Sequence, residues 1–253
     1  AAWIVQPRAL QKSPHAMIDA PPAVTALAPP AAGSSWTGTV HGPQGPIEVL
    51  LASPREALRG ACVICHPHPL YGGAMSNKVV YTLASTAGKA GLATLRFNFR
   101  GVGKSTGVHD EGRGETEDTV WLAAAWRAAV NARLGHEAPL VLAGFSFGAF
   151  VSLKATSQLQ AAGLMSVAPP FSATRAIYAD GDGPPPAPGC PWAVIHSQDD
   201  EVVAYADSTA VLARYDPPPT LTTVDGAGHF FHGRLDEVAL AFEQLLIQAL
   251  PPR

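Results

Sequence analysis

The most constraining feature of the sequence is a stretch in which a buried strand turns directly into a helix. Residues 140–143 form a short apolar run typical of a strand, and residues 149–160 are compatible with a helix. Between them, residues 144–148 read Gly-Phe-Ser-Phe-Gly and fit the pattern G-x-S-x-G. Such an abrupt turn holds its central residue in a strained backbone conformation and lifts the side chain clear of the sheet. The sequence therefore predicts that Ser146 projects from the edge of a sheet beside the start of a helix.

Ser146 in this setting is a candidate nucleophile. Gly144 and Gly148 leave room for the turn where a Cβ would crowd it. The N-terminus of the following helix aims free N–H groups and a partial positive charge at the turn. A glycine-rich turn with an incidental serine is the simpler interpretation, but the strand before it and the helix after it favour the nucleophile.

From residue 36 onward, strands and helices alternate along the chain. After an opening hairpin, the apolar runs predict further strands; the full set of strands is 37–41, 47–52, 61–65, 92–98, 139–143, 164–167, 191–196 and 220–224. Segments of helical character lie between them, at 77–90, 115–133, 149–160, 205–214 and 235–249. This alternation predicts an α/β fold with a mostly parallel central sheet and helices on both faces.

The sequence divides into a tail and one domain. Residues 1–35 are rich in Ala and Pro and have neither helical nor strand periodicity, which predicts an extended or disordered tail. Residues 36–253 form the predicted single domain, whose length suits one full-sized core. The chain does not begin with Met, and Met17 is a candidate native start, which leaves the origin of residues 1–16 open.

Two polar loops supply candidates for a base and an acid. Residues 197–203 follow a predicted strand and carry three carboxylates, among them Asp199 and Asp200. A second loop, after the last predicted strand, ends in His229. Because the carboxyl ends of parallel strands lie along one edge of the sheet, we expect both loops to meet Ser146 there. The order serine, acid, histidine is the one that accompanies a G-x-S-x-G turn in catalytic triads.

These motifs resemble the α/β-hydrolase superfamily, and the resemblance covers essentially the whole predicted domain. It is carried by the turn around Ser146, the acid loop at 197–203 and the Gly-x-Gly-His turn at 226–229. Two further stretches, residues 66–73 and 96–103, resemble a compact bacterial subgroup without a lid, whose members are mostly described only as esterases or hydrolases. The α/β-hydrolase fold without a substantial lid domain is therefore expected.

The resemblance implies a Ser-His-Asp triad. The family's acid loop reads Gly-x-x-Asp-x-x-Val; with Ser197 in place of the glycine, the aspartate falls at Asp200, and Asp199 remains the competitor. Ser146 would be the nucleophile, and His229 the base, because an unperturbed histidine has a pKa of about 6.5. Asp200 would fix the tautomer of His229 and stabilise its imidazolium form.

Two backbone N–H groups are expected to stabilise the oxyanion that forms during acyl transfer. One is that of Phe147, directly after the nucleophile. By analogy with the family, the other comes from the loop after the third strand, where the prolines on both sides of His68 have no N–H and His68 is the nearest donor. Leu70 and Tyr71 remain alternatives for this second donor.

The substrate site is expected to be open and shallow. Only residues 172–189 are available for a lid before the acid strand, and their second half is nearly all Gly, Pro and Ala, which cannot build a helical lid. Tyr71, Phe145 and Phe230 are candidate substrate-binding residues, with core packing as the alternative. We expect a serine hydrolase that cleaves short-acyl carboxylic esters. The same triad acting on a thioester, peptide or lactone, and a non-hydrolytic binding protein, are the alternatives.

Three other patterns in the sequence are weaker. Residues 101–105, Gly-Val-Gly-Lys-Ser, imitate the end of a phosphate-binding loop, but Asn98 stands where that motif needs its first glycine. Residues 62–65 match C-x-x-C inside a strand, where positions three apart face opposite sides, so packing is favoured over redox chemistry. His66 and His68 lie in a proline-containing loop that favours rigidity over metal coordination. No metal site and no cofactor are expected.

Composition excludes several functional classes. A net charge of −3 without a Lys/Arg cluster argues against nucleic acid or an anionic membrane surface as a partner. No stretch approaches the ~20 apolar residues of a membrane span, and no signal-peptide apolar region precedes the domain. Three cysteines without a framework spacing indicate a reducing compartment. We therefore expect a cytoplasmic protein acting on a small-molecule ester, with its oligomeric state left open.

Overall fold

The computed structural model describes residues 27–171 and 184–252, which form one eight-stranded sheet flanked by helices. The strands are β1 (Ser35–Gly42), β2 (Gly45–Ala52), β3 (Gly60–Cys65), β4 (Leu92–Phe97), β5 (Leu140–Phe145), β6 (Gly163–Val167), β7 (Trp192–Ser197) and β8 (Thr220–Val224). The helices are α1 (Lys78–Lys89), α2 (Arg113–Leu134), α3 (Phe147–Thr156), α4 (Tyr205–Leu212) and α5 (Leu235–Ala249), with a short 3-10 helix at Pro69–Tyr71.

The strand order in the sheet is β1-β2-β4-β3-β5-β6-β7-β8. Strand β2 pairs antiparallel with β1 and β4, and the other pairs of the described sheet are parallel. Strands β3 to β8 therefore end at one edge, where the segments after β5, β7 and β8 carry Ser146, Asp200 and His229. The fold class predicted from the sequence, a mostly parallel sheet with helices on both faces, is confirmed.

Two hydrophobic layers hold the helices to the sheet. Helices α2, α3 and α4 contribute to the layer on one face, and α1 and α5 to the layer on the other. Cys65 belongs to the first layer and Cys62 to the second, as expected for strand positions three apart. Burial raises the pKa of both thiols, that of Cys65 to about 12, so both stay protonated and serve packing.

Two element boundaries differ from the sequence prediction at the central turn. Strand β5 continues to Phe145, and α3 begins at Phe147, which leaves Ser146 as the only residue between them. Pairing with β3 and β6 extends the strand through the glycine of the motif. The Ser146 carbonyl oxygen already accepts the Ala149 N–H at 2.8 Å, so the helix begins without a loop.

The predicted tail and the predicted absence of a lid fall largely outside the described residues. Of the tail, residues 27–35 are described: Leu27 packs against the core, the Pro30 carbonyl oxygen accepts a hydrogen bond from the Ser53 hydroxyl at 2.7 Å, and Ser35 already belongs to β1. The segment between β6 and β7 includes residues 172–183, which are not described. Among the described helices, none has both the length and the apolar character that crossing a bilayer requires.

His66 ties the loop after β3 to the segment after β4. Its side chain is fully buried, its Nδ1 donates to the Pro67 carbonyl oxygen at 2.6 Å, and its Nε2 accepts the Phe99 N–H at 2.9 Å. Burial lowers the pKa of His66 from 6.5 to about 4, with the bond to Pro67 opposing the shift. The folded protein therefore needs a neutral imidazole at this position.

We expect this requirement to make the fold sensitive to mild acid. Between pH 6.5 and about 4 the unfolded chain binds a proton at His66 and the folded chain does not, so stability falls as the pH is lowered through this window. The His66→Gln variant lacks the titrating group. On acidification from pH 7 to 5 it should lose about 2 kcal/mol less of its unfolding free energy than the wild type, as measured by urea titration. An exposed-histidine control, His136→Gln, should behave as the wild type, and equal losses in all three proteins would contradict the assignment.

Candidate active site

Ser146 occupies the turn between β5 and α3 in a conformation that few residues adopt. Its φ of 53° and ψ of −122° lie outside the regions favoured by residues with a side chain. The Ser146 N–H donates to the Val167 carbonyl oxygen at 2.8 Å, which fixes the turn to the end of β6. A Cβ on Gly144 would collide with the Gly148 backbone, and one on Gly148 would collide with the end of β3. The two glycines of the motif are thus required by close backbone packing.

Three side chains form a continuous hydrogen-bonded line at the edge of the sheet. His229 Nε2 lies 3.0 Å from Ser146 Oγ, and His229 Nδ1 lies 2.8 Å from Asp200 Oδ2. Because a carboxylate only accepts, Nδ1 carries the proton and Nε2 is free to accept the proton of the serine hydroxyl. Ser146 and His229 are 7% and 3% exposed, so water screens the line only weakly. This is the geometry that activation of a serine by a histidine requires.

Residues from three parts of the fold hold His229 in place. Its N–H donates to Glu201 Oε2 at 3.0 Å. Its ring packs against Phe145, with ring centres 5.0 Å apart, and against Phe230, at 5.1 Å. The Phe230 ring in turn packs against His232, with ring centres 5.9 Å apart. These contacts restrict the imidazole to the orientation that faces both Ser146 and the acid.

Asp200 is bound by four N–H donors. Its Oδ1 accepts from the Val202 and Val203 N–H groups at 2.9 and 2.7 Å. Its Oδ2 faces His229 Nδ1 and His196 Nε2, at 2.8 and 3.2 Å. Burial by itself would raise the pKa of Asp200, but the hydrogen bonds from both histidines and from Val203 outweigh it and hold the pKa well below its usual range. Asp200 is therefore a carboxylate at neutral pH.

Asp199, the competitor in the sequence, has a different set of contacts. Its Oδ1 accepts from the Ser197 hydroxyl at 2.6 Å and from the Gly226 N–H at 2.9 Å. The Ser197 hydroxyl bond is the main cause that lowers the pKa of Asp199. Asp199 therefore joins the acid loop to the loop of His229, whereas the carboxylate in contact with the His229 ring is that of Asp200.

The backbone donors expected for an oxyanion belong to the start of α3 and to the loop after β3. Phe147 is the first residue of α3, and the first N–H groups of a helix have no acceptor within it. In the loop after β3, the Leu70 N–H donates to His68 Nδ1 at 3.3 Å and the Tyr71 N–H to the His68 carbonyl oxygen at 3.1 Å. The N–H of His68 itself has no acceptor within residues 27–171 and 184–252. This distribution favours His68 over Leu70 and Tyr71 as the second donor.

The candidate substrate-binding residues divide into exposed and buried positions. Tyr71 is 86% exposed and packs on the His68 ring, and Phe230 is 43% exposed and packs on the His229 ring. Phe145 is fully buried and packs beneath the His229 ring, so its side chain offers no surface to a bound molecule. For Phe145 the structure therefore favours core packing, the alternative interpretation, over substrate binding, because Phe145 is the last residue of a strand covered on both faces.

The sequence did not point to two polar contacts near the site. The first is His196 on Asp200. The second is a fully buried Glu115, whose carboxylate accepts from His109 Nδ1 at 2.9 Å and from the Gly112 N–H at 2.9 Å. The His109 ring packs on the rings of His68 and Phe147, at 4.7 and 5.3 Å. The sequence signal for the contact of His196 with Asp200 was a histidine at the end of a strand, directly before the acid loop. No sequence pattern marks the contact of His109 with Glu115.

Neither a metal centre nor a deep groove competes with this arrangement. Within the described residues, no group of three His, Cys, Asp or Glu side chains could hold a metal ion. A groove of about 750 Å³ between α1 and α5 is lined by residues such as Arg59, Ala90 and Leu250. These lie at the amino edge of the sheet, because β3 and β4 begin next to them, and so on the side away from Ser146.

Comparison with known proteins identifies the family of this chain. Residues 63–234 match the family described as "Alpha/beta hydrolase domain". An uncharacterized protein of Rickettsia prowazekii is 31% identical over 213 residues, which covers 82% of this chain and 87% of that protein. A crystal structure from Xanthomonas campestris, described as a member of the a/b serine hydrolases without lid, is 35% identical with a TM-score of 0.76 and covers 87% of this chain and 97% of that chain. An alpha-beta serine hydrolase homologue from Coxiella burnetii is 40% identical with a TM-score of 0.71, covering 83% of this chain and 96% of that chain. The chain belongs to the α/β-hydrolase family.

Proposed function

We propose that the protein is a serine hydrolase that cleaves carboxylic esters with short, accessible acyl groups through an acyl-enzyme. The observation that carries the proposal is the line from Ser146 through His229 to Asp200, with contacts of 3.0 and 2.8 Å. A serine hydroxyl is a weak nucleophile until a base removes its proton, and His229 Nε2 is within reach of that proton.

In the first half of the reaction, Ser146 Oγ attacks the ester carbonyl carbon while its proton moves to His229 Nε2. The tetrahedral oxyanion accepts hydrogen bonds from the Phe147 and His68 N–H groups. Asp200 stabilises the imidazolium of His229 without taking its proton. The imidazolium then protonates the departing alkoxide, and an acyl group remains on Ser146.

In the second half, a water molecule takes the place of the serine hydroxyl as the nucleophile. His229 removes a proton from the water, whose oxygen attacks the acyl carbon, and the imidazolium returns the proton to Ser146 Oγ as the acid leaves. No cofactor takes part. The same groups therefore act as base and acid twice in each turnover.

The rim of the site supports a small ester with apolar groups as the substrate. Large apolar side chains stand exposed on the loops after β3, β4, β7 and β8, at 71% for Leu70, 77% for Val108, 51% for Val202 and 43% for Phe230. Most apolar side chains of this size are buried elsewhere in the protein. The 35% identical Xanthomonas campestris hydrolase, described as without lid, adds support for an open site. Such a rim contacts short or accessible groups and does not enclose a long chain.

The first test is labelling and turnover in the wild type and Ser146→Ala. A fluorophosphonate probe should label the wild type and not the variant, because the probe forms a bond only with an activated serine. Nitrophenyl esters from acetate to palmitate should be hydrolysed with kcat/KM falling as the acyl chain lengthens. Labelling without ester turnover would redirect the search to thioesters, peptides and lactones. No labelling of the wild type would favour the non-hydrolytic binding protein.

The second test separates the two neighbouring aspartates. Asp200→Asn should lower kcat by on the order of 10³- to 10⁴-fold, because an amide permits the wrong tautomer of His229. Asp199→Asn keeps the shape of a side chain that contacts only loop groups, and it should retain kcat within about tenfold. Measured on nitrophenyl acetate with matched thermal unfolding curves, the reverse ranking would assign the acid to Asp199.

A further inference from the structure

His196 lies near the end of β7, fully buried, beside the carboxylate that holds His229. Its Nε2 is 3.2 Å from Asp200 Oδ2 and 3.2 Å from the Val203 carbonyl oxygen. Asp200 Oδ2 also receives His229 Nδ1 at 2.8 Å. Two imidazoles from different elements therefore meet on one carboxylate oxygen, and the mechanism above uses only one of them.

The contacts of His196 determine which ring nitrogen carries its proton. Both oxygens that face Nε2 can only accept hydrogen bonds, so Nε2 carries the proton and donates it. The opposite nitrogen, Nδ1, is buried and has no hydrogen-bond partner within the described residues. The ring packs edge-on against Tyr205, with centres 5.6 Å apart. An apolar side chain would fill this position without an unpaired nitrogen, so packing alone does not account for a histidine here.

We propose that His196 is a positioning residue of the triad, whose Nε2–H holds Asp200 Oδ2 in the orientation that His229 needs and takes up part of the carboxylate's charge. The inference rests on the proposed serine-hydrolase function. With His196 in place, each carboxylate oxygen of Asp200 has two donors and the group cannot rotate. Without it, Oδ2 keeps one donor, and its charge acts more fully on the ring of His229.

Among the residues that the structure describes, the polar groups next to Asp200 and His196 offer no replacement donor. Glu201 binds the His229 N–H through Oε2 and, as a carboxylate, has no proton to offer Asp200. Asp199 is turned towards the Gly226 N–H. The Tyr205 hydroxyl, from α4, is engaged with the Thr223 hydroxyl at 2.8 Å. The effect of removing His196 is therefore expected to reach His229 through Asp200 alone.

The test compares His196→Met with His196→Gln. The two replacement side chains have nearly the same length and volume, but only glutamine ends in an N–H donor. We expect Met to lower kcat for nitrophenyl acetate by on the order of tenfold with little change in KM, because a hydrogen bond to a charged group is lost. The protonation midpoint of His229, followed by NMR on ring-labelled histidine, should move to higher pH, since a less solvated carboxylate stabilises the imidazolium. Gln should restore both quantities towards the wild type.

The outcomes distinguish positioning from packing and from failure of the proposed function. Equal losses in Met and Gln with an unmoved His229 midpoint would mean that His196 only fills space, which overturns the proposal. Wild-type kcat and midpoint in Met would overturn it as well. If the wild type neither labels with fluorophosphonate nor turns over esters, the serine-hydrolase proposal fails; the His229 midpoints then still decide whether His196 tunes the Asp200–His229 pair. The control His136→Met, on an exposed loop, should change neither readout.

Discussion

The close approach of β5, α3 and β3 around two glycines is the constraint on which the rest of the site depends. Only a backbone without Cβ at Gly144 and Gly148 lets the helix begin one residue after the strand. That contact places Ser146 at the carboxyl edge, turns the first N–H of α3 towards it, and sets the end of β3 against the same turn. The loop that carries His68 continues from that end of β3. The close packing of β5, α3 and β3 therefore positions both the nucleophile and the elements that carry the expected oxyanion donors.

The second constraint is electrostatic and involves the acid loop. An ionised carboxylate with little exposed side chain is stable only when donors surround it, and Asp200 has four. Two come from its own loop and fix the bend after β7; two come from imidazoles and fix the ring of the base. Asp199 and Glu201 bind the backbone of the loop after β8 and keep the two loops together. Of the three consecutive carboxylates, Asp200 therefore binds the ring of His229, and Asp199 and Glu201 join the two loops.

The sequence predicted the strands and helices, and also the three residues that meet at the carboxyl edge of the sheet, Ser146, Asp200 and His229, because both follow from local patterns. Apolar runs predicted the strands, and the order of the strands placed the polar loops at one edge. The end of β5 was missed by two residues, since strand pairing extends the strand through the motif to Phe145. The burial of Phe145 and the pairing of His109 with Glu115 depend on tertiary contacts that no local pattern encodes. The position of His196 directly before the acid loop could be read from the sequence, but its contact with Asp200 could not.

The difference in burial between the triad and the side chains around it indicates which residues determine substrate specificity. Ser146 directly follows β5, Asp200 and His229 lie in the loops after β7 and β8, and all three side chains are almost wholly buried. The apolar side chains around them stand on loops and are mostly exposed, Tyr71 most of all. Substitutions at these exposed positions are therefore expected to change which substrate is accepted without disturbing the hydrogen-bonded line, because exposed side chains contribute little to the core. The chemistry of this protein is fixed by its buried polar groups, and its substrate is to be sought by varying the exposed ones.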